Sequence, residues 1–128
     1  MTNEEEIKKI KKMSMKQRKN RKWIPVNNRE ALLKSRYKML EEEYEKLFLY
    51  QQGKCAICLL PEKSKLHGKI KNLSVDHDHE TDQIRGLLCS CCNALLGQTN
   101  DNQFILIQAL KYLISNGGRK NFNPGGNQ

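Results

Sequence analysis

The sequence has little of the material from which a large hydrophobic core is built. Of its 128 residues, 38% are hydrophobic and 6% are aromatic, while 29% are charged. Domains with thin cores usually need a further cross-link, such as a disulfide or a structural metal. A chain of this length has room for one compact domain with extensions. We therefore expect one domain that is held together by more than apolar packing.

Long apolar runs are also missing. No segment approaches the roughly 18 apolar residues that a membrane helix requires, and the basic N-terminus is not followed by an apolar signal segment. The sequence therefore predicts a cytoplasmic protein without a membrane partner. Disulfides are rare in that reducing compartment, so the five cysteines indicate metal ligation instead.

Acidic residues are fewer than basic ones, and the imbalance is local. The chain has 23 Lys and Arg against 14 Asp and Glu, a formal charge of +9. Residues 1–22 hold nine of those basic residues and three acidic ones, hence +6. A segment of this kind attracts polyanions and gives salt-sensitive affinity for phosphate. It predicts nucleic acid as the partner, and the alternative is a solvated tail that only aids solubility.

The basic arm is expected to span residues 1–26. It carries too few apolar groups to bury, so we expect it to be partly disordered or to become helical on binding. Trp23, Ile24 and Pro25 mark its boundary with the rest of the chain. The arm residues that we expect to bind nucleic acid are Lys16, Arg18, Lys19, Arg21 and Lys22.

Residues 27–52 have the apolar spacing of a helical lead-in. A cap at Asn27 or Asn28 precedes apolar and aromatic side chains that recur every three or four residues up to Phe48, and Gly53 ends the pattern as a C-cap would. A stripe of this kind packs against a core, so we assign it no chemistry.

A last helix is expected over residues 101–116. Asp101 is its predicted N-cap, and apolar residues follow up to Ile114. Residues 117–128 are rich in Asn and Gly and are expected to form a flexible tail. Apolar surface on this helix and on the lead-in either closes one core or joins two subunits in a homodimer.

The cysteines form two pairs at metal-ligand spacing. Cys55-x-x-Cys58 and Cys89-x-x-Cys92 have thirty residues between them, and a knuckle with this spacing directs two thiolates to one tetrahedral ion. Zinc bound by all four would contribute on the order of 10 to 16 kcal/mol to folding. The alternatives are that one pair is coincidental or that the cysteines are redox-active. Cys91 is predicted not to bind the metal, because its spacing from Cys89 is awkward for a knuckle.

Short apolar stretches on either side of a polar turn predict a small β-hairpin. A helix is expected to start at the second cysteine pair, and residues 53–100 together are expected to form the zinc-braced core. The apolar positions of the hairpin are Leu73, Val75, Ile84, Leu87 and Leu88.

An unusual density of ligand and proton-transfer groups follows Val75. Asp76 can offer an anionic oxygen to Mg²⁺ or Mn²⁺, and His77 carries an imidazole, which suits a general base near neutral pH. Asn93 follows the last zinc ligand directly, and its amide oxygen is a suitable second ligand for the same cation. On a regular strand Asp76 and His77 point to opposite sides, so we expect a twisted strand end to turn both into one cleft. A metal and a base are what phosphodiester hydrolysis needs.

Three motifs stand in order along this core. They are Gly53-Lys54-Cys55-Ala56-Ile57-Cys58, then Val75-Asp76-His77-Asp78-His79, then Ile84-Arg85-Gly86-Leu87-Leu88-Cys89-x-x-Cys92-Asn93 with Leu96-Gly97. Together they resemble the phage recombination endonuclease VII family, which belongs to the zinc-braced HNH, or ββα-metal, nucleases. The resemblance covers roughly residues 30 to 114 and leaves out the basic arm.

The resemblance implies a small, mostly helical α+β fold with a ββα-metal core, a zinc staple of four cysteines and flanking helices, to which the basic N-terminal arm is added. It implies the same zinc ligands, the same Mg²⁺ ligands and His77 as the base. It adds a supporting active-site role for His79 and a phosphate contact for Arg85. If the gene is carried by a phage, the expected location is the host cytoplasm.

The sequence departs from the family pattern in two places. Lys38, Met39 and Leu40 stand where the family often has a turn, which allows one long first helix. Leu96 stands where the junction-resolving prototype of the family has an acidic residue. The second departure argues against junction resolution more than against nuclease chemistry.

The function predicted from these features is a Mg²⁺-dependent DNA endonuclease with a histidine general base. One alternative is a branched-DNA or Holliday-junction resolvase that uses the same chemistry. Another is a non-catalytic zinc-knuckle module that binds nucleic acid, which leaves Asp76, His77 and Asn93 unexplained. A third interpretation puts His77 or His79 on zinc, and the two intact cysteine pairs argue against it. His67 is expected to be a surface residue.

Overall fold

The computed structural model describes residues 4–13, 17 and 28–119. In these ranges the chain forms five helices and two two-stranded antiparallel sheets, which confirms the expected α+β class. None of these helices combines the length and the apolar character needed to cross a membrane. In chain order the elements are α1 (Glu4–Lys12), α2 (Asn28–Tyr37), α3 (Glu41–Tyr50), β1 (Lys65–Leu66), β2 (Lys69–Ile70), β3 (Ser74–His77), β4 (Ile84–Leu88), α4 (Ser90–Gln98) and α5 (Gln103–Asn116).

The lead-in is two helices, and the expected single long helix is wrong. α2 ends at Tyr37, and Lys38 adopts a left-handed φ of 53°, which breaks the helical path. Met39 then turns inward and is fully buried, at 0% exposure. Burying such a side chain stabilises the fold by about 1.5 to 3 kcal/mol, which offsets the strain of the break. α3 begins at Glu41 with acidic residues in its first turn, where the helix dipole favours negative charge.

The core lies between these helices and the β3–β4 hairpin. Leu47 of α3 and Leu87 of β4 are completely buried. Tyr44 of α3 is also buried, and its hydroxyl donates a hydrogen bond to the carbonyl oxygen of Leu73, just before β3 (2.6 Å). The apolar stripe predicted for the lead-in therefore packs against the core, as expected.

The N-terminal arm contains a helix that packs on this core. In α1, Ile7 and Ile10 are 2% and 7% exposed, and the helix contacts α3 and β4. Gln83, before β4, donates from Nε2 to the carbonyl oxygen of Lys12 (3.3 Å). The expectation that the arm has too few apolar groups to bury is wrong for this part, because two isoleucines three residues apart share one helical face. The predicted arm contacts that lie outside the described residues are Lys16, Arg18, Lys19, Arg21 and Lys22.

β3 and β4 form the predicted hairpin, with a bulge near its turn. The register is constant from Ser74 to Asp76 and shifts before His77, which leaves Arg85 as the extra residue on β4. A bulge re-aims the side chains beside it and increases the local twist. It occurs at the step between Asp76 and His77, where a departure from regular strand geometry was expected.

α5 is the predicted last helix, but its cap differs from the expectation. The side chain of Asn102 accepts a hydrogen bond from the N–H of Ile105 (3.0 Å) and caps the helix. Asp101 does not, because its φ is left-handed (56°), whereas an N-cap needs an extended backbone. Gly117 ends the helix, also with a left-handed φ. No α5 side chain is buried, and its large exposed apolar residues are Phe104, Ile105, Ile107, Leu110, Tyr112, Leu113 and Ile114.

Candidate functional site

Four cysteine side chains meet where the two predicted knuckles come together. The sulfur atoms of Cys55, Cys58, Cys89 and Cys92 lie within 4.8 Å of one another. Three of these residues are buried and Cys58 is half-buried. Cys91 is exposed and stands outside the cluster, as predicted. The structure therefore brings together the ligand set expected for zinc.

Hydrogen bonds shape each cysteine pair. In the first knuckle, the N–H of Cys55 donates to the carbonyl oxygen of Leu60 (2.8 Å), and the N–H of Ile57 donates to the Cys55 Sγ (3.4 Å). In the second, Cys89 caps α4, and its Sγ accepts from the N–H of Cys92 (3.4 Å). The helix predicted to start at the second pair is thus confirmed. Donors aimed at sulfur favour the thiolate form, which is the form that binds metal.

Burial and neighbouring thiols oppose ionisation within this cluster. Burial opposes ionisation of Cys55, but hydrogen bonds from neighbouring backbone groups lower the pKa of this thiol to about 7. Burial and the adjacent thiols raise the pKa of Cys58 and of Cys92. A central cation relieves this repulsion, and a closed set of four sulfur ligands is what structural Zn²⁺ prefers. The cluster is therefore consistent with structural zinc.

Two residues that the sequence analysis missed tie the first knuckle to its neighbours. Glu62, 8% exposed, accepts hydrogen bonds from the N–H of Ser64 (3.0 Å) and of Ser90 (2.8 Å), so it joins the knuckle loop to the first turn of α4. Burial opposes ionisation of this carboxyl, but the N–H donors outweigh it and lower its pKa. Gln51 accepts from the N–H of Leu87 and donates to its carbonyl oxygen (both 2.9 Å), as a paired strand would. The links to Ser90 and Leu87 have no local sequence signal, because these partners are 28 and 36 residues away in the chain.

Arg85 joins two carboxylates at the bulge. Its Nε donates to Asp76 Oδ2 (2.7 Å) and its Nη2 donates to Asp76 Oδ1 (2.9 Å). The same Nη2 also donates to Asp101 Oδ2 (3.2 Å). These bonds, chiefly those to Asp76, raise the pKa of Arg85 beyond its usual range. The guanidinium predicted to contact phosphate is thus held by the carboxylate predicted to bind the catalytic metal.

Both predicted active-site histidines lie at this end of the hairpin. The ring centroids of His77 and His79 are 4.8 Å apart, and the His77 ring centroid lies 6.0 Å from that of Tyr37. His79 Nε2 is 3.8 Å from Asp101 Oδ2. In the described part of the chain the cysteine cluster includes neither histidine, so nothing supports the interpretation that puts one of them on zinc.

Asp78 stands between the two histidines and shapes the turn. Its Oδ1 accepts hydrogen bonds from the N–H of Glu80 (2.8 Å) and of Thr81 (3.0 Å). These two N–H donors lower the pKa of the Asp78 carboxyl, and the donor of Thr81 has the larger effect. The Asp78 N–H in turn donates to the carbonyl oxygen of Gln83 (2.8 Å). This carboxylate is therefore a structural part of the hairpin turn.

Asn93 lies on the first turn of α4, directly after Cys92, and is exposed. α4 packs against both β3 and β4, so the helix that carries Asn93 and the strand that carries Asp76 are neighbours. That the two side chains share one ion stays a prediction. His67 is exposed in the turn between β1 and β2, as expected.

A cleft of about 760 Å³ lies beside this network. Its walls come from the hairpin turn, from the end of α4 and from the loop that leads to α5. Charges of both signs face it, so a polar, charged ligand fits it better than an apolar one. Residues that line it include His79, Glu80, Arg85, Leu96, Asn100 and Asp101.

Comparison with known proteins identifies relatives among phage proteins. A family model described as recombination endonuclease VII matches residues 30–115. The Gene 59 protein of Mycobacterium phage D29 is 41% identical over 85 residues, which is 66% of this chain and 48% of that protein. The Gene 59 protein of Mycobacterium phage L5 is 38% identical over 87 residues, 67% of this chain and 50% of that protein. The chain thus spans about half the length of these curated relatives, and no solved structure matches it.

Proposed function

The chain belongs to the recombination endonuclease VII family, and on that premise we propose that it is a phage endonuclease that hydrolyses phosphodiester bonds in DNA. The family match confirms the resemblance recognised in the sequence. The observation that carries the proposal is the end of the β3–β4 hairpin. There Arg85 pairs with Asp76, the His77 and His79 rings lie side by side, and Arg85 and His79 line a polar cleft. A module that only binds nucleic acid has no use for this group.

The proposed core is of the HNH, or ββα-metal, kind. Its support is the order of elements, since two paired strands are followed directly by a helix that packs on both. The first strand carries Asp76 and His77, and the helix carries Asn93 in its first turn. The four cysteines flank this unit in two pairs. One pair precedes the hairpin, and the other lies where the hairpin joins the helix.

Two metals have separate roles in this proposal. The four clustered cysteines would hold Zn²⁺, which when bound fixes the hairpin relative to α4. Asp76 and Asn93 would hold Mg²⁺ or Mn²⁺, which when bound neutralises charge that develops on the phosphate. A carboxylate with an amide oxygen is a hard donor set that leaves positions for water and for phosphate, so these residues fit such an ion.

His77 is the proposed general base. A neutral imidazole nitrogen accepts a proton from the attacking water near neutral pH. The rings of Tyr37 and His79 lie beside the His77 ring and restrict its orientation. His79 is proposed to support the site, and it stands near Asp101 rather than on the cysteine cluster.

The basic arm and Arg85 are the proposed contacts with DNA phosphates. α1 adds Lys8, Lys9 and Lys12, which line a groove on its outer face. Because α1 packs against β4, these lysines are held on the same body as the hairpin. Lysine and arginine contacts with phosphate give affinity without base specificity, and that affinity falls with added salt.

A homodimer through α5 is the proposed assembly. Seven large apolar side chains of this helix are exposed, and none of its side chains is buried. A monomer rarely leaves an apolar patch of this size in water, and a second copy presents the identical helix. Two active sites in one dimer would permit two coordinated cuts.

The direct test is cleavage of supercoiled plasmid in the presence of Mg²⁺. We expect the wild-type chain to nick or cut the plasmid and His77→Asn to lose cutting while it keeps its zinc and its affinity for DNA. The matched control is His67→Asn, because His67 has a left-handed φ of 51° that Asn tolerates and lies in the β1–β2 turn. It should cut as the wild type does.

Two results would contradict the proposal. Cutting by His77→Asn at the wild-type rate would remove His77 as the base. A wild-type chain that binds DNA without cutting plasmid or a four-way junction would show a binding module. The junction also separates the resolvase alternative from general nuclease activity, since a resolvase cuts the junction in preference to plasmid.

A further inference from the structure

Asp101 was expected to cap the last helix, but Asn102 has that role, and Asp101 lines the cleft instead. Its carboxylate accepts a hydrogen bond from Arg85 and lies 3.8 Å from His79. We propose that Asp101 is a positioning residue that holds Arg85 in the cleft, so that Asp76 can release Arg85 and bind its divalent cation. This inference rests on the proposed function, in which Asp76 is a ligand of that cation.

Arg85 competes with a cation for Asp76. Both carboxylate oxygens of Asp76 accept hydrogen bonds from the guanidinium, at 2.7 and 2.9 Å. Paired charge-assisted bonds of this geometry are among the strong side-chain interactions. A divalent cation on the same carboxylate would also be repelled by a guanidinium this close. Cation binding at Asp76 therefore requires Arg85 to move away from it.

The hydrogen bond to Asp101 can hold Arg85 in the cleft after it leaves Asp76. Asp101 Oδ2 already accepts from Arg85 Nη2 at 3.2 Å while Asp76 is bound. If Arg85 releases Asp76, it keeps an anionic partner, so the release costs less than it would without Asp101. Arg85 then stays in the cleft beside His79, where its freed donors are available to a phosphate.

The loop between α4 and α5 is shaped to present Asp101. Asn100 and Asp101 both have left-handed φ values, 52° and 56°. The N–H of Asp101 donates to the carbonyl oxygen of Leu96 (2.9 Å), which fixes the loop on the end of α4. Left-handed residues cost free energy and persist where the surrounding structure holds them, a pattern that is common at functional sites. Since Asn102 caps α5, the helix does not need Asp101.

The test measures Mn²⁺ affinity by titration calorimetry on the zinc-loaded full chain without DNA. Asp101→Asn should weaken Mn²⁺ binding by about tenfold, the effect of losing one charge-assisted hydrogen bond. Arg85→Gln should do the opposite and tighten Mn²⁺ binding by about tenfold, because it frees Asp76. The same Arg85→Gln variant should cut DNA more slowly. A merely structural role for either residue predicts loss of affinity in both variants.

A double variant distinguishes positioning from a direct effect of charge. If Asp101 acts through Arg85, then Asp101→Asn should change Mn²⁺ affinity by less than about twofold once Arg85→Gln is present. If Asp101 attracts the cation directly, the loss should remain about tenfold. Asp82→Asn is the matched control, because Asp82 also has a left-handed φ (59°) and loses the same charge outside the cleft.

The outcomes separate this inference from the proposed function. If Asp76→Asn binds Mn²⁺ as the wild type does, the proposed catalytic metal site is wrong and the inference is wrong with it. If Asp76→Asn abolishes Mn²⁺ binding but Asp101→Asn does not weaken it, the metal site stands and the inference is overturned. Zinc content and circular dichroism verify that each variant is folded.

Discussion

Replacing Ile7 with alanine tests whether the N-terminal helix belongs to the fold. Ile7 is 2% exposed in α1, which packs against α3 and β4. Ile7→Ala removes three carbon atoms from this contact, worth roughly 2.4 kcal/mol by transfer at 0.8 kcal/mol per methylene. The cavity left behind adds to this, so the expected loss is about 2 to 4 kcal/mol.

The measurement is thermal unfolding of the zinc-loaded chain. At this chain length each kcal/mol changes the melting temperature by roughly 3 to 5 °C, so Ile7→Ala should melt about 6 to 20 °C below the wild type. Ile70→Ala is the control, because Ile70 lies on β2 and is 63% exposed. It should change stability by no more than about 0.5 kcal/mol.

The functional consequence follows from where α1 sits. If α1 is docked as described, Ile7→Ala also loosens the lysines of α1 from the hairpin, and the salt dependence of DNA binding should flatten. The reasoning is refuted if Ile7→Ala melts within about 2 °C of the wild type, like Ile70→Ala. That result would mean that the first helix adds nothing to the fold.

Three further predictions concern the metal cluster, a buried carboxylate and the last helix. Removing zinc by chelation, or Cys55→Ser, should abolish the cooperative unfolding transition, because structural zinc supplies on the order of 10 kcal/mol. The pKa of Glu62 is lowered in the folded state, so its carboxylate stabilises the fold above its unfolded pKa, and this contribution is lost as the pH falls below roughly 4. Glu62→Gln should therefore cost about 1 to 2 kcal/mol in urea unfolding near neutral pH and progressively less at acidic pH. Leu110→Glu on α5 should convert a dimer to a monomer in sedimentation velocity.

Each of these has a control on the same chain. Cys91→Ser should keep zinc and stability, since Cys91 is exposed and outside the cluster; a zinc-free chain with an intact transition would contradict the structural role. A pH-independent effect of Glu62→Gln would mean that its charge is irrelevant. Gln108→Glu adds the same charge to α5 at another exposed position and should leave the dimer intact. A monomeric wild type would contradict the proposed assembly.

The cysteine cluster was predictable because its signal is local. Two Cys-x-x-Cys pairs specify ligand type and spacing within a few residues, and the structure brings all four sulfur atoms together as expected. The hairpin was predictable for the same reason, since apolar alternation around a turn is a local pattern. That Cys91 stands outside the cluster also followed from spacing alone.

The misjudged features depend on partners that are distant in the chain. The helix breaks at Lys38 and Met39 enters the core, and Ile7 is buried because α1 packs against α3 and β4. Asp101 is of a residue type that commonly caps helices. Only the fold reveals that its partner is Arg85, sixteen residues earlier in the chain. The basic residues at positions 16–22 lie outside the described residues, so their predicted contacts stay predictions.

β4 links the parts of the proposed site physically. Its Leu87 accepts a hydrogen bond from the N–H of Ala56 in the first knuckle (3.1 Å), and the strand also contacts α1. Arg85, on the same strand, holds Asp76 across the hairpin. A change in the knuckle or in α1 that shifts β4 would therefore move Arg85, and with it the Asp76 carboxylate. No substitution in the site itself is needed for this effect. For this reason we expect the affinity for the proposed divalent cation to depend on zinc, although the proposed ligands of the two ions do not overlap.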